Sequence, residues 1–116
     1  MSKVYGIHEL ELNPGVTGEE FEQFIAGEGA VLFPSGPGKG TLVKGDRGAR
    51  AGKYAILLEY SSVDERNQAF PQQDEAVEVI EQRVPDDVRR ALEQFARLAS
   101  GLGHPSSYTD YVAVGE

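Results

Sequence analysis

The sequence predicts an α+β domain in which helices pack on one face of an antiparallel sheet. Two observations carry this. Segments 3–12, 41–46, 53–60 and 108–114 read as strands, with apolar and polar positions alternating most clearly in the first. Helical regions follow the first and third, each opened by a Ser/Thr-x-x-Glu pair.

The first strand, KVYGIHELEL, sets Val4, Gly6, His8, Leu10 and Leu12 on one face. Asn13-Pro14-Gly15 stops it with turn chemistry. Thr17 and Glu20 then form a capping box, with Val16 and Phe21 at the hydrophobic staple positions. Phe21, Phe24 and Ile25 share a helical face, and Gly27 and Gly29 end the helix. PSGPGKG at 34–40 reads as a loop, TLVKGD as the second strand and RGARAG as a mobile hairpin connection. KYAILLEY is the strongest strand pattern in the chain.

Ser62 and Glu65 form the second capping box. Pro71 interrupts that helix after Phe70, and a middle piece carries Val77, Ile80 and Val84. Pro85 suits a first turn, and Val88, Leu92, Phe95, Leu98 and Leu102 make an apolar stripe closed by Gly101 and Gly103. The order is therefore β-α-β-β-α-β with an extended second helical region. This is the split βαβ, ferredoxin-like arrangement, with predicted sheet order fourth-first-third-second.

At 116 residues the chain makes one domain, 1–116. The absence of cysteine excludes disulfides, thiolate metal sites and Cys nucleophiles. The net charge of −8 disfavours a nucleic-acid partner. No apolar run reaches membrane-spanning length and MSKVYGIHELEL lacks the signal-peptide pattern, so the expectation is a cytoplasmic protein with no membrane partner.

Strand phase predicts a helix-facing set of Val4, Gly6, His8, Leu10 and Leu12, Val43, Tyr54, Ile56, Leu58 and Tyr60, and Tyr108, Asp110, Val112 and Val114. The opposite face is split. Tyr5, Ile7, Ala55, Leu57, Tyr111 and Ala113 make an apolar end, and Glu9, Glu11 and Glu59 a charged one. An apolar patch on an open sheet face predicts a homodimer that covers it with the same face of a second copy.

With the junction ELELNPGVTGEEFEQF, the pair TLVKGD and KYAILLEY, the phrase YSSVDERNQAF and the terminal YTDYVAV, the chain resembles the dimeric α/β-barrel superfamily over nearly its whole length. The nearest branches are the stress-responsive and cyclase-like proteins and the antibiotic-biosynthesis-type monooxygenases. In the stress-responsive and cyclase-like branch one histidine lies early in the first strand and another near the second helix's Pro, lining a pocket between sheet and helices. Here the first position falls on Gly6, with His8 two residues on, and the second falls in Pro71–Gln73, which holds no histidine. The resemblance implies a small-molecule-binding barrel, with cofactor-independent isomerase, cyclase or monooxygenase chemistry on a small apolar or aromatic compound. A non-catalytic dimer that binds a ligand or protein, and a haem- or metal-handling barrel, stand as alternatives.

His8 and Asp110 are the two polar intrusions on the helix-facing side. If the register sets them opposite one another, the carboxylate orients the imidazole and raises its basicity, as an acid–base dyad requires. The competing reading is two buried polar groups satisfying each other. Tyr54, Tyr60 and Tyr108 offer phenolic donors to a substrate and Phe24 an apolar wall, or they are packing residues. Glu9, Glu11 and Glu59 read as a solvated rim rather than a metal site, and no cofactor is expected. SGPGKGT lacks the P-loop spacing and runs into a strand. The basic stretch Lys39, Lys44, Arg47, Arg50 and Lys53 either recruits an anionic partner or is a solvated hairpin.

Overall fold

A computed structural model describes residues 2–33, 39–69, 84–102 and 106–115. Its elements run β1 (Val4–Leu12), α1 (Gly18–Ala26), a 3₁₀ turn (Glu28–Leu32), β2 (Lys39–Lys44), β3 (Tyr54–Tyr60), α2 (Val63–Ala69), α3 (Asp86–Leu98), β4 (Ala99–Ser100) and β5 (Tyr108–Val112). All strand pairings are antiparallel. The order is β2-β3-β1, with β5 and the two-residue β4 sharing the far edge of β1. This is the predicted order, with β5 as the terminal strand. Only β4 is additional: the chain leaving α3 pairs with Glu11 and Leu12 before turning at Gly101. That turn needs φ of +109°, and a Cβ there would lie 2.4 Å from the Glu9 carbonyl oxygen, so glycine is the residue that fits.

The helices start where the caps put them. Thr17 accepts from the Glu20 N–H at 3.1 Å, and Ser62 accepts from the Glu65 N–H at 3.1 Å. The Glu65 carboxylate reaches back one residue further than a capping box requires, to the N–H of Ser61. Pro85 sits at the N-cap of α3, just outside the first turn.

The core lies between the sheet and α1 and α3. Leu10, Phe21, Tyr54, Ile56, Phe95 and Ala99 are its buried members. Phe21 stands edge-on to both Tyr54 and Phe95, at centroid distances of 5.1 and 5.5 Å. One predicted core position is corrected. β2 pairs Leu42 with Ile56 and Val43 with Ala55, so Leu42 packs on the core and Val43 lies exposed on the open face. Val112 and Val114 are corrected too, being 48% and 96% exposed at the sheet edge, where no described residue covers them.

The 47–52 connection, rich in glycine, has an anchor that composition conceals. Arg50 donates from Nη2 to the carbonyls of Leu10 and Tyr54 at 3.1 and 2.9 Å. Its Nε and Nη1 meet Glu9 at 3.0 Å and Glu11 at 3.1 Å, and Lys53 meets Glu11 at 3.2 Å. These pairs and Lys3–Glu59, rather than Lys44, neutralise the charged end of the open face. Arg50→Ala removes two bonds to strand carbonyls and is expected to cost about 1–2 kcal/mol of stability, more than a surface ion pair alone. Equilibrium urea unfolding checks this, and a change below about 0.5 kcal/mol would show the anchor to be idle.

The readings at Phe70–Pro71, Val77, Ile80, Pro71–Gln73, Gly103 and most of the 34–40 loop lie outside the described residues.

Candidate functional site

The alternation of β1 brings Gly6 and His8 to the helix-facing side, and antiparallel pairing brings two residues of β5 to the same side. The register sets Asp110 opposite Gly6 and Tyr108 opposite His8. The expected opposition of His8 and Asp110 is therefore corrected to a diagonal one, still on one face. Tyr108 takes the place opposite His8, and the two rings stack at 5.0 Å with 14° between their planes.

Asp110 occupies the space that Gly6 leaves open. A Cβ at Gly6 would lie 2.7 Å from Asp110 Oδ1. The other carboxylate oxygen accepts from Arg66 Nη1 at 2.5 Å, with each side chain about a quarter exposed (24% and 25%). Arg66 stands on α2, and its Nε donates to Asn67 Oδ1 at 2.9 Å. Sequence reasoning passed over Arg66, because a charge on a short helix is usually solvated. The available signal was Asp110 itself: a carboxylate in phase with core residues demands a cation, and α2 follows the strand that ends at Tyr60.

The electrostatics set the protonation states. Burial holds the His8 imidazole below its ordinary 6.5, against an upward pull from the Asp110 carboxylate. His8 is accordingly a neutral base at pH 7. Tyr60 is 2% exposed. Burial first, and then Asp110, push its phenol up to about 12, so it remains a neutral donor. The arrangement holds a neutral base, a neutral acid and an internally compensated ion pair on one side of the sheet. Such a set can accept a proton and steady the charge that results.

The remaining sequence candidates are engaged elsewhere. The Tyr54 hydroxyl donates to the Glu22 carboxylate and approaches the Gly18 carbonyl at 3.5 Å, beside Lys44. The hydrogen bond to Glu22 is the main cause that raises this phenol to about 12. Phe24 is half-buried and packs edge-on to Phe95 at 6.5 Å. The structure thus stacks Tyr108 on His8, sets Tyr60 within electrostatic reach of Asp110 but four residues along the sheet from His8, and binds Tyr54 and Phe24 into the packing of α1. A groove of about 510 Å³ over α1 is lined by Gly18, Glu19, Glu22, Gln23, Ala26 and Lys44 and shares no residue with the His8 cluster. Among the described residues no three His, Cys, Asp or Glu side chains are grouped to hold a metal ion, and no helix is long and apolar enough to cross a membrane.

No family model matches the sequence, and neither does any curated protein. Two solved structures resemble it. An uncharacterised NIPSNAP-like domain protein from Burkholderia xenovorans is 13% identical, with TM-score 0.61, over 98% of this chain and 85% of the other. SnoaB, a cofactor-independent oxygenase from Streptomyces nogalater, is 14% identical, with TM-score 0.51, over 100% of this chain and 95% of the other. At these identities the likeness is one of fold alone, and that fold is ferredoxin-like.

Proposed function

We propose that this protein binds a small, partly aromatic molecule on the helix side of its sheet and moves a proton on it without a cofactor. The observation that supports this is that neutral His8, stacked on Tyr108, shares its face of the sheet with the Arg66–Asp110 pair. His8 is the base. It takes a proton from an acidic C–H or O–H of the ligand, and Asp110 stabilises the imidazolium that forms. Tyr108, against His8, donates to the oxyanion left behind. Return of the proton at another carbon is isomerisation, and attack by the carbanion within the molecule is cyclisation. Capture of the carbanion by dioxygen is oxygenation, the class of activity named for SnoaB. In the same reading the active form is a homodimer, closed over Tyr5, Ile7, Leu57 and Tyr111.

The test follows the His8 ring by NMR in protein carrying ¹³C-labelled histidine, titrated with 1-naphthol and 2-naphthol. Saturable shifts of the His8 signal are expected. His8→Ala should abolish saturable binding, measured by calorimetry, while the mass in solution stays unchanged. Failure of every probe to move His8 at millimolar concentration would favour a non-catalytic dimer. The same labelled protein gives the pH dependence. The His8 midpoint should fall below 6.5, since burial depresses it. An unfolded chain then binds a proton more readily than the native one. Native stability should therefore decline as pH falls through 6.5 and level off below the depressed midpoint, and His8→Ala should flatten that slope.

A further inference from the structure

Arg66 commits only part of its guanidinium. Nη1 holds Asp110 and Nε holds Asn67, while Nη2 hydrogen-bonds no described residue. A guanidinium is permanently charged and presents its donors in a fixed planar fork, so an unused nitrogen keeps a definite direction. The side chain is a quarter exposed, which leaves it reachable from outside. Five other described cations are held by carboxylates elsewhere. Arg50 and Lys53 are held by Glu9 and Glu11, Lys3 by Glu59, Lys44 by Glu22 and Arg89 by Asp86. None of them shares a carboxylate with the His8 cluster.

We propose that Arg66 is the anion receptor of this site, so that the ligand is an aromatic carboxylate whose charged group docks on Nη2. This rests on the proposed function above. Asp110 has two parts in it. In the empty protein it compensates Arg66 and lowers the cost of holding that charge partly out of water. In the complex it balances the imidazolium when His8 takes the proton, while the spare edge of Arg66 carries the negative charge of the ligand. Gly6 makes the arrangement compatible with the sheet, because any larger residue there would displace the carboxylate that Arg66 grips.

The experiment compares matched probes: benzoate with benzamide, 2-hydroxybenzoate with 2-hydroxybenzamide, and 2-naphthoate with 2-naphthamide. Binding is read from the His8 ring signals and from the Arg66 Nε–H signal. Each carboxylate should bind roughly tenfold or more tightly than its amide, as a charged hydrogen bond in a partly desolvated site provides. Arg66→Gln should erase that preference. Since it leaves Asp110 without its cation, the charge-balanced pair Arg66→Gln with Asp110→Asn is measured beside it and should also bind acid and amide alike. Equal binding of acids and amides by the wild-type protein, with His8 shifts retained, would overturn the anion receptor and leave the proton-transfer site standing. Absence of His8 shifts with all six probes would overturn both.

Discussion

In the proposed homodimer, Leu57→Asp is expected to leave the protein monomeric. Leu57 pairs with Ile7 on one side and Thr41 on the other, in the middle of the open face. Around it Ile7, Val43 and Tyr111 are 36%, 39% and 55% exposed. An apolar patch flanked by ion pairs is suited to a second copy of itself. The acidic rim does not oppose this, because Lys3, Arg50 and Lys53 neutralise it locally despite the overall charge of −8. A stable dimer should bury on the order of 2,000 Å² or more in total. Two uncompensated carboxylates, one from each copy, would then meet in a dry interface, and the dissociation constant should rise by about a thousandfold or more. Light scattering at micromolar concentration checks the masses, with Arg90→Asp, at an exposed position of α3, as the control expected to remain dimeric. A monomeric wild-type protein, or a dimeric Leu57→Asp protein, would remove the interface.

The second large effect concerns the core. Phe21 is fully buried and joins α1 to both the sheet and α3 through Tyr54 and Phe95. Phe21→Ala is expected to cost about 3–5 kcal/mol, through lost burial and the cavity left behind. Small domains hold only about 5–15 kcal/mol in total, so the variant should sit near the limit of folding. Phe24 is half-buried and makes one looser ring contact, so Phe24→Ala should cost roughly half as much. Thermal and urea unfolding of the two variants gives the comparison. Equal losses would mean that α1 docks through Phe24 as firmly as through Phe21.

Parity explains what was readable in advance. A strand with one buried face admits a single phase, so Leu10 carried His8 to the helix side by local pattern alone, whereas the phase of Asp110 was read from Val112 and Val114, which the structure leaves exposed. The capping residues Thr17 and Ser62 were equally local, because a cap bonds within its own turn. Register is different. Residues 6 and 110 are brought together across nearly the whole chain, and no local pattern distinguishes Asp110 opposite His8 from Asp110 opposite Gly6. The missing side chain of Gly6 settles it, since only there does the carboxylate find room. Val43 fails for a related reason: β2 is short, half-exposed and weakly patterned, and its phase is set by pairing with β3.

The sequence by itself determined the element order, the helix starts, the two faces of β1 and β3, and the presence of two polar groups on the buried side. Only the tertiary structure decided that Asp110 belongs to Arg66, that Tyr108 rather than Tyr54 or Phe24 joins His8, and that Arg50 ties down a glycine-rich connection. The physical reason is the range of the forces involved. Periodicity and capping act over a few residues, whereas an ion pair or a ring stack forms wherever the assembled sheet brings its partners within a few ångströms.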